Sequence, residues 1–465
     1  MSIHNETTHN GTTESGKSGQ LLPLPLRAWA AKRTKVGGRG ADAPGPRAAC
    51  APRPSFSGRG SPFTSSPALT RRSALLGLTA AITLGRASLA VAAAPGDKRF
   101  VVVILRGALD GMAAVVPYGD PALASLRAEL VPGGPGQANG LLDLGGFYGL
   151  HPSLANLHTM FKAGELLPVH AVVGPTRVRS HFEAQDCLES GADHRMTSGW
   201  LNRAVSALPD AAAHGRPEGD ALAIGVSVPL LLRGPATVGS WAPHGVMTPP
   251  SDLYTQIAAL HRADRITGPA IAEGLQERGF TTAVLASDAD AAEPARNRYA
   301  FPALARAAGE MLRAPDGPRV AALEIGGWDT HQSQVGRLAG VLKQLDGGLA
   351  GLKEGLGPAW RDTAVLVMTE FGRTARMNGT KGTDHGTATV AFVLGGAVVG
   401  GRVAGTWPGL GEGKLYENRD LAPTTDLRSV AKGLLAAHLG VPDGTLDGVF
   451  PGSGQAQPIR GLVRT

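Results

Sequence analysis

Val101-Val102-Val103-Ile104-Leu105 is an unbroken run of apolar, mostly β-branched residues that stops at Arg106-Gly107. A strand with one face in water alternates apolar and polar side chains. A run without alternation therefore predicts a strand covered on both faces. Apolar-rich runs at 166–173, 320–325, 364–368 and 390–394 predict further strands, and residues 221–232 predict one or two more. Between these runs the period changes. Val335, Leu338, Leu342, Leu345, Leu349 and Leu352 are spaced by threes and fours, which makes one apolar helix stripe and a core face. Residues 426–439 predict another helix, with Thr425 or Asp426 as N-cap and Gly440 as stop. Strands alternating with helices predict an α/β fold, a three-layer sandwich with a mostly parallel central sheet. No internal repeat is visible.

The first 94 residues read differently. Residues 1–69 are rich in Gly, Pro, Ser, Thr and Arg without apolar periodicity, a composition that predicts a disordered extension. Thr70-Arg71-Arg72-Ser73 then precedes an apolar stretch to Gly85 and small residues up to Ala94. A basic segment, a short apolar segment and a small-residue cleavage site, in that order, predict an export leader over 70–94. The paired arginines point to the twin-arginine machinery as partner and to a periplasmic or extracellular destination. The apolar stretch is shorter than the roughly 20 residues needed to span a bilayer, so no stable transmembrane anchor is expected. Residues 95–465 form the expected domain, with a cap or insertion at about 205–300, where Pro, Ala and polar residues are frequent.

Removing the leader changes the charge. The whole chain has a formal net charge of +7, but residues 95–465 carry 33 basic and 35 acidic side chains, a net of −2. That balance gives no support for nucleic-acid binding, which calls for a basic patch on the domain itself. Cys50 falls in the leader, leaving Cys187 alone in the domain and without an internal disulfide partner. It is expected as a small buried apolar residue.

Candidate chemistry gathers where the predicted strands end. Gly326-Gly327-Trp328-Asp329-Thr330-His331 and Gly382-Thr383-Asp384-His385-Gly386 place carboxylates and imidazoles on Gly-flanked turns. Such ends are where α/β proteins build sites, and Asp and His suit divalent metals. Asp329 and His331, two apart on an extended turn, point the same way. Asp384 and His385 are adjacent and serve different partners. Asp110 follows the first strand, and Glu370 and Arg373 follow the strand at 364–368. Arg179-Ser180-His181 follows the strand at 166–173. Ser180 can cap a helix there, with Glu183 completing a capping box. The same helix start, flanked by Arg177 and Arg179, can instead receive an anion, with Ser180 as a nucleophile activated by a metal.

Several stretches together carry a resemblance. They are Leu-Arg-Gly-Ala-Leu-Asp-Gly at 105–111, Arg-Ser-His-Phe-Glu-Ala-Gln-Asp at 179–186 and Ser-Gly-Trp-Leu-Asn-Arg at 198–203, with Gly-Gly-Trp-Asp-Thr-His, Thr-Glu-Phe-Gly-Arg-Thr and Gly-Thr-Asp-His-Gly. From about residue 100 to 440 the chain resembles the family known as domain of unknown function 1501. That family looks like a branch of the alkaline-phosphatase-like superfamily, in which sulfatases also belong. The resemblance implies an alkaline-phosphatase-like fold and a divalent metal, zinc among the candidates. It implies Asp110, Asp329, His331, Glu370, Asp384 and His385 as the pool of metal ligands. Ser180 is the implied nucleophile, with Thr176 as its alternative. Arg179 and Arg373 would clamp anionic oxygens. Phe371 stands where the superfamily has a ligating His. This departure implies a one-metal site from Asp329, His331 and His385, or a remodelled one drawing on Glu370, Asp384, His181 or His194.

Two functions follow from these residues. One is an exported, metal-dependent hydrolase of phosphate or sulfate esters. The other is a non-catalytic exported binding or scaffold protein on the same fold.

Overall fold

The computed structural model describes residues 98–209, 220–225, 227–242 and 300–464. The chain divides into two units, Met1–Ser88 and Leu89–Thr465, and every described residue belongs to the second. The extension at 1–69, the expected leader at 70–94 and Cys50 lie outside the described residues.

The predicted strands form one sheet together with two short strands outside the predicted runs, at 238–241 and 425–426. In chain order they are β1 (Arg99–Arg106), β2 (Leu166–Val173), β3 (Ala221–Ile224), β4 (Val238–Trp241), β5 (Val320–Gly326), β6 (Thr363–Thr369), β7 (Thr389–Leu394) and β8 (Thr425–Asp426). Their order across the sheet is β8-β2-β7-β6-β1-β5-β3-β4. All neighbours run parallel except β7, which is antiparallel to both β2 and β6. The run at 101–105 therefore occupies a central position, as its lack of alternation requires.

The two faces are covered by different helices. Val101, Val103 and Leu105 pack with α1 (Ala155–Lys162), α4 (Phe301–Arg313) and α5 (Gln334–Leu356). Phe100, Val102 and Ile104 pack on the other side with α2 (His181–Ser190), α3 (Trp200–Ser206) and α6 (Leu427–Ala437). The result is the expected three-layer α/β sandwich. The α5 stripe is buried from Leu338 to Leu352, while Val335 at its start is 55% exposed. The stripe enters the core only after the first helical turn. Asp426 caps α6, its carboxylate accepting from the Arg428 amide, and Gly440 beyond the helix adopts φ +74°.

Residues 221–232 give one strand, β3, and a short 3-10 turn at Leu230–Leu232. Within the stretch where an insertion is expected, β3 and β4 extend the central sheet. Its remaining part, 243–299, lies outside the described residues. Among the described residues no helix is long and apolar enough to cross a membrane. Cys187 is buried and unpaired, and burial pushes its thiol up to about 11.

Register brings the strand ends together. Arg106 of β1 lies beside Gly326 of β5, and Leu105 lies beside Thr369 of β6. The turns beginning at Gly107, Gly327 and Glu370 thus leave one edge of the sheet side by side. Because β7 is antiparallel, its start at Thr389 meets Val172 near the end of β2. The peptide 382–388 that enters β7 consequently reaches the same edge as residues 174–181, which leave β2.

Candidate metal centre

Three imidazoles and one carboxylate oxygen converge at this edge. Asp329 Oδ1 lies 3.0 Å from His331 Nε2, 3.4 Å from His385 Nε2 and 3.5 Å from His181 Nε2. His331 Nε2 and His385 Nε2 are 3.0 Å apart. The donor atoms of His181, Asp329 and His385 all fall within 4.8 Å of one another. Ligands about 2.0–2.2 Å from a tetrahedral zinc stand roughly 3.3 Å apart, so these separations fit donors around one ion.

Each imidazole has its other nitrogen occupied. His181 Nδ1 lies 2.8 Å from Glu370 Oε1, His385 Nδ1 2.8 Å from the Arg179 carbonyl, and His331 Nδ1 3.3 Å from Asp384 Oδ1. Metal-binding imidazoles are held in this way, with the distal N–H donated to a carboxylate or carbonyl and the other nitrogen left free. His181 Nε2 is buried and has no hydrogen-bond partner. An orphaned buried nitrogen costs free energy unless something occupies it, and a metal ion fits the donors that face it. Phe371 packs against both rings, its centroid 4.9 Å from His181 and 5.0 Å from His385. It walls the centre on that side and supplies no ligand.

Arg373 holds the carboxylate in place. It is fully buried, and its guanidinium donates to the carbonyls of Gly107, Ala108, Trp328 and Thr383 and, at 2.5 Å, to Asp329 Oδ1. The loops must come close for one guanidinium to reach them all. Gly107 has φ +119°, and a Cβ there would lie 2.8 Å from the Asp329 amide nitrogen. A Cβ on Gly382 would lie 2.2 Å from the His331 carbonyl carbon.

The electrostatics follow from these contacts. Burial works to raise the Asp329 carboxyl, but the hydrogen bond and charge of Arg373 outweigh it and bring it below the usual range. Burial likewise opposes ionisation of Glu370, and donation from His181 and Gln185 again lowers it. The hydrogen bond from Asn378 lowers Asp384. The Glu370 hydrogen bond raises His181, whereas burial lowers His385. The carboxylates are therefore charged at neutral pH, as metal binding requires.

The other expected residues take different places. Asp110 is fully buried and caps the short helix Gly111–Ala114. Its carboxylate receives Arg127 Nη1 at 2.8 and 2.9 Å and Gln334 Nε2 at 2.7 Å, so both its oxygens are occupied away from the imidazoles. Glu370 is 1% exposed and stands behind His181. Asp384 stands behind His331 in the same way. Arg179 is bound to Asp420 at 2.8 Å and Glu417 at 2.6 Å, and Arg373 is bound as described, so both arginines are committed within the protein. Ser180 is the exposed N-cap of α2, but its side chain makes no capping bond, so the expected capping box is not formed. The Thr176 hydroxyl accepts from the Val178 amide. His194 is exposed and bound to Asp193. His181, one of several alternatives in the sequence, is brought to the centre because α2 starts where β2 ends.

The family model described as "protein of unknown function (DUF1501)" matches residues 167–449. The chain belongs to this family. All four converging residues fall inside the match, whereas β1 and Asp110 precede it. No curated protein matches the chain. Among solved structures it is similar to the C-terminal periplasmic domain of EcEptC from Escherichia coli in complex with Zn. Identity is 10%, coverage 65% of this chain and 74% of that chain, and the TM-score 0.30. A protein in the alkaline phosphatase superfamily from Vibrio parahaemolyticus is 11% identical over 66% of this chain and 62% of that one, with a TM-score of 0.29. The lipoteichoic acid synthase LtaP from Listeria monocytogenes is 10% identical, covering 67% and 66%, with a TM-score of 0.28.

Proposed function

We propose that the protein is an exported metal-dependent hydrolase of phosphate or sulfate esters on an alkaline-phosphatase-like scaffold. One divalent ion is held by His181, Asp329 and His385, with His331 as a further donor beside them. The observation that carries this reading is the convergence of three Nε2 atoms on Asp329 Oδ1 with the His181 nitrogen buried and unpartnered. Two or three imidazoles with a carboxylate suit zinc. A bound ion would supply Lewis-acid polarisation of an ester oxygen and activate a neighbouring hydroxyl.

The chain's own groups have distinct parts in this reading. Ser180 is the nucleophile: it lies between His181, which points into the centre, and Arg179, whose carbonyl holds His385. Its hydroxyl is exposed and not used for capping. Glu370 and Asp384 orient His181 and His331, Arg373 fixes Asp329, and Phe371 keeps water from one flank. Export rests on the Arg71-Arg72 leader pattern.

A second reading, metal binding without hydrolysis, is favoured by one observation. The two arginines expected to clamp an anionic ester are both spent on protein carboxylates. Zinc-loaded protein assayed with an aryl phosphate and an aryl sulfate separates the two. The hydrolase reading predicts turnover that Ser180→Ala removes while metal content stays unchanged. Undiminished turnover in that variant would remove Ser180 as nucleophile, and no turnover in the metal-loaded wild type would favour the second reading.

A further inference from the structure

Gln334 opens α5, yet its side chain is buried. Ser333 before it takes φ +48°, a left-handed conformation that residues with a Cβ rarely adopt. This turn sends Gln334 inward while Val335 faces out. A buried amide must satisfy both its ends. Gln334 Nε2 donates to Asp110 Oδ2 at 2.7 Å. Gln334 Oε1 accepts from the Thr330 hydroxyl at 3.0 Å and from the Thr383 hydroxyl at 2.7 Å. Both threonines are buried, and they stand in the two turns that carry three of the converging donors. Thr330 lies between Asp329 and His331, and Thr383 lies two residues before His385. Other links between these turns act further along the chain. Asn378 Nδ2 and the Thr380 hydroxyl reach the His331 carbonyl, and the amides of Ser333 and Gln334 reach the carbonyls of Thr380 and Lys381. Arg373 grips the Asp329 carboxylate and the Thr383 carbonyl, and the Thr383 amide reaches the Thr330 carbonyl at 3.3 Å.

We propose that Gln334 is a positioning residue: by bridging the Thr330 and Thr383 hydroxyls it sets the spacing of the turns that carry Asp329, His331 and His385. Arg373 holds each turn at one place. Gln334 holds each at a second, through the side chains of Thr330 and Thr383. One point of attachment leaves a turn free to rotate about it, and two fix its orientation. A small rotation of either turn would carry a donor atom out of reach of a shared ion. A hydroxyl can pair with either end of an amide, so the bridge does not depend on Asp110. Its functional meaning rests on the metal centre proposed above.

The test compares Thr383→Val, which removes one hydroxyl and keeps the shape, with Thr383→Ser, which keeps the hydroxyl. Zinc affinity is read by competition with a chelator, and ligand geometry by the visible absorption of cobalt-loaded protein. Thr383→Val should weaken zinc binding about tenfold, the lower end of what outer partners of a metal site contribute, and shift the cobalt bands. Thr383→Ser should keep the wild-type affinity and bands. Gln334→Met, of nearly the same size, should behave as Thr383→Val does. If it does not fold, the two Thr383 variants decide. Wild-type affinity and bands in Thr383→Val, or equal losses in Thr383→Val and Thr383→Ser, overturn the proposal. Hydrogen exchange of the Thr383 amide in metal-free Thr330→Val reads the bridge without an ion. It should quicken relative to wild type, and unchanged exchange overturns the bridge whether or not wild type takes up zinc. Failure of wild type to bind zinc would overturn the proposed centre instead.

Discussion

Three carboxylates at the sheet edge have three different fates, and their neighbours decide which. Asp329 has Arg373 behind it and imidazoles in front. Glu370 is enclosed by donors and acts on His181. Asp110 is locked to Arg127 where both side chains are almost wholly buried, 0% and 1% exposed. Removing one member of a buried ion pair leaves an uncompensated charge, which typically costs about 3–5 kcal/mol. Asp110→Ala is accordingly expected to lower the unfolding free energy in denaturant titration by that order while leaving metal content unchanged. Lost metal with stability intact would mean that Asp110 belongs to the centre. In the sequence Asp110 and Asp329 look alike, each within two residues of a glycine after an apolar run. What separates them is Arg127 and Gln334, brought by the fold from 17 and 224 positions away. Ligand type and strand-end placement were legible, but second partners were not, because pairing across such distances leaves no local pattern. His181 was half legible for the same reason: its helix start was visible, and its Glu370 partner was not.

At the scale of elements, the strands could be read because burial on both faces suppresses alternation. Five predicted runs fall on strands of the sheet. The antiparallel direction of β7 was not legible, since a two-sided apolar strand reads the same in either direction. That direction matters for the site: it puts His385, just before β7, at the edge where the parallel strands end. Helix packing carries its own test. The α4–α5 contact is close enough that a Cβ on Gly355 would sit 2.2 Å from the Arg306 carbonyl oxygen. Alanine favours a helix over glycine by about 1 kcal/mol. Forcing two backbones apart costs about 1–3 kcal/mol, so overpacking should win. Gly355→Ala is expected to destabilise in urea unfolding. A gain in stability would show that the helices part without cost.

The whole molecule should be sensitive to acid. Burial lowers His170 and His438 from 6.5 to about 4. The His170 Nδ1 accepts from the Ala171 amide at 2.9 Å, a bond that protonation of that nitrogen would break. The folded state thus prefers both rings neutral, whereas the unfolded chain takes up protons near pH 6.5. Their contribution is complete above about pH 6.5 and is lost as pH falls towards 4, up to about 3 kcal/mol for each ring. Urea unfolding of metal-free protein across that interval should show the decline, and a flat profile would contradict it. In the proposed centre His181, Asp329 and His385 hold one ion. Elemental analysis of protein recovered from the exported fraction, with His181→Ala and His385→Ala prepared in parallel, tests it most directly. Wild type is expected to carry close to one divalent metal per chain, and both folded variants are expected to lose it. Wild-type protein without metal, or folded variants that keep it in full, would contradict the claim.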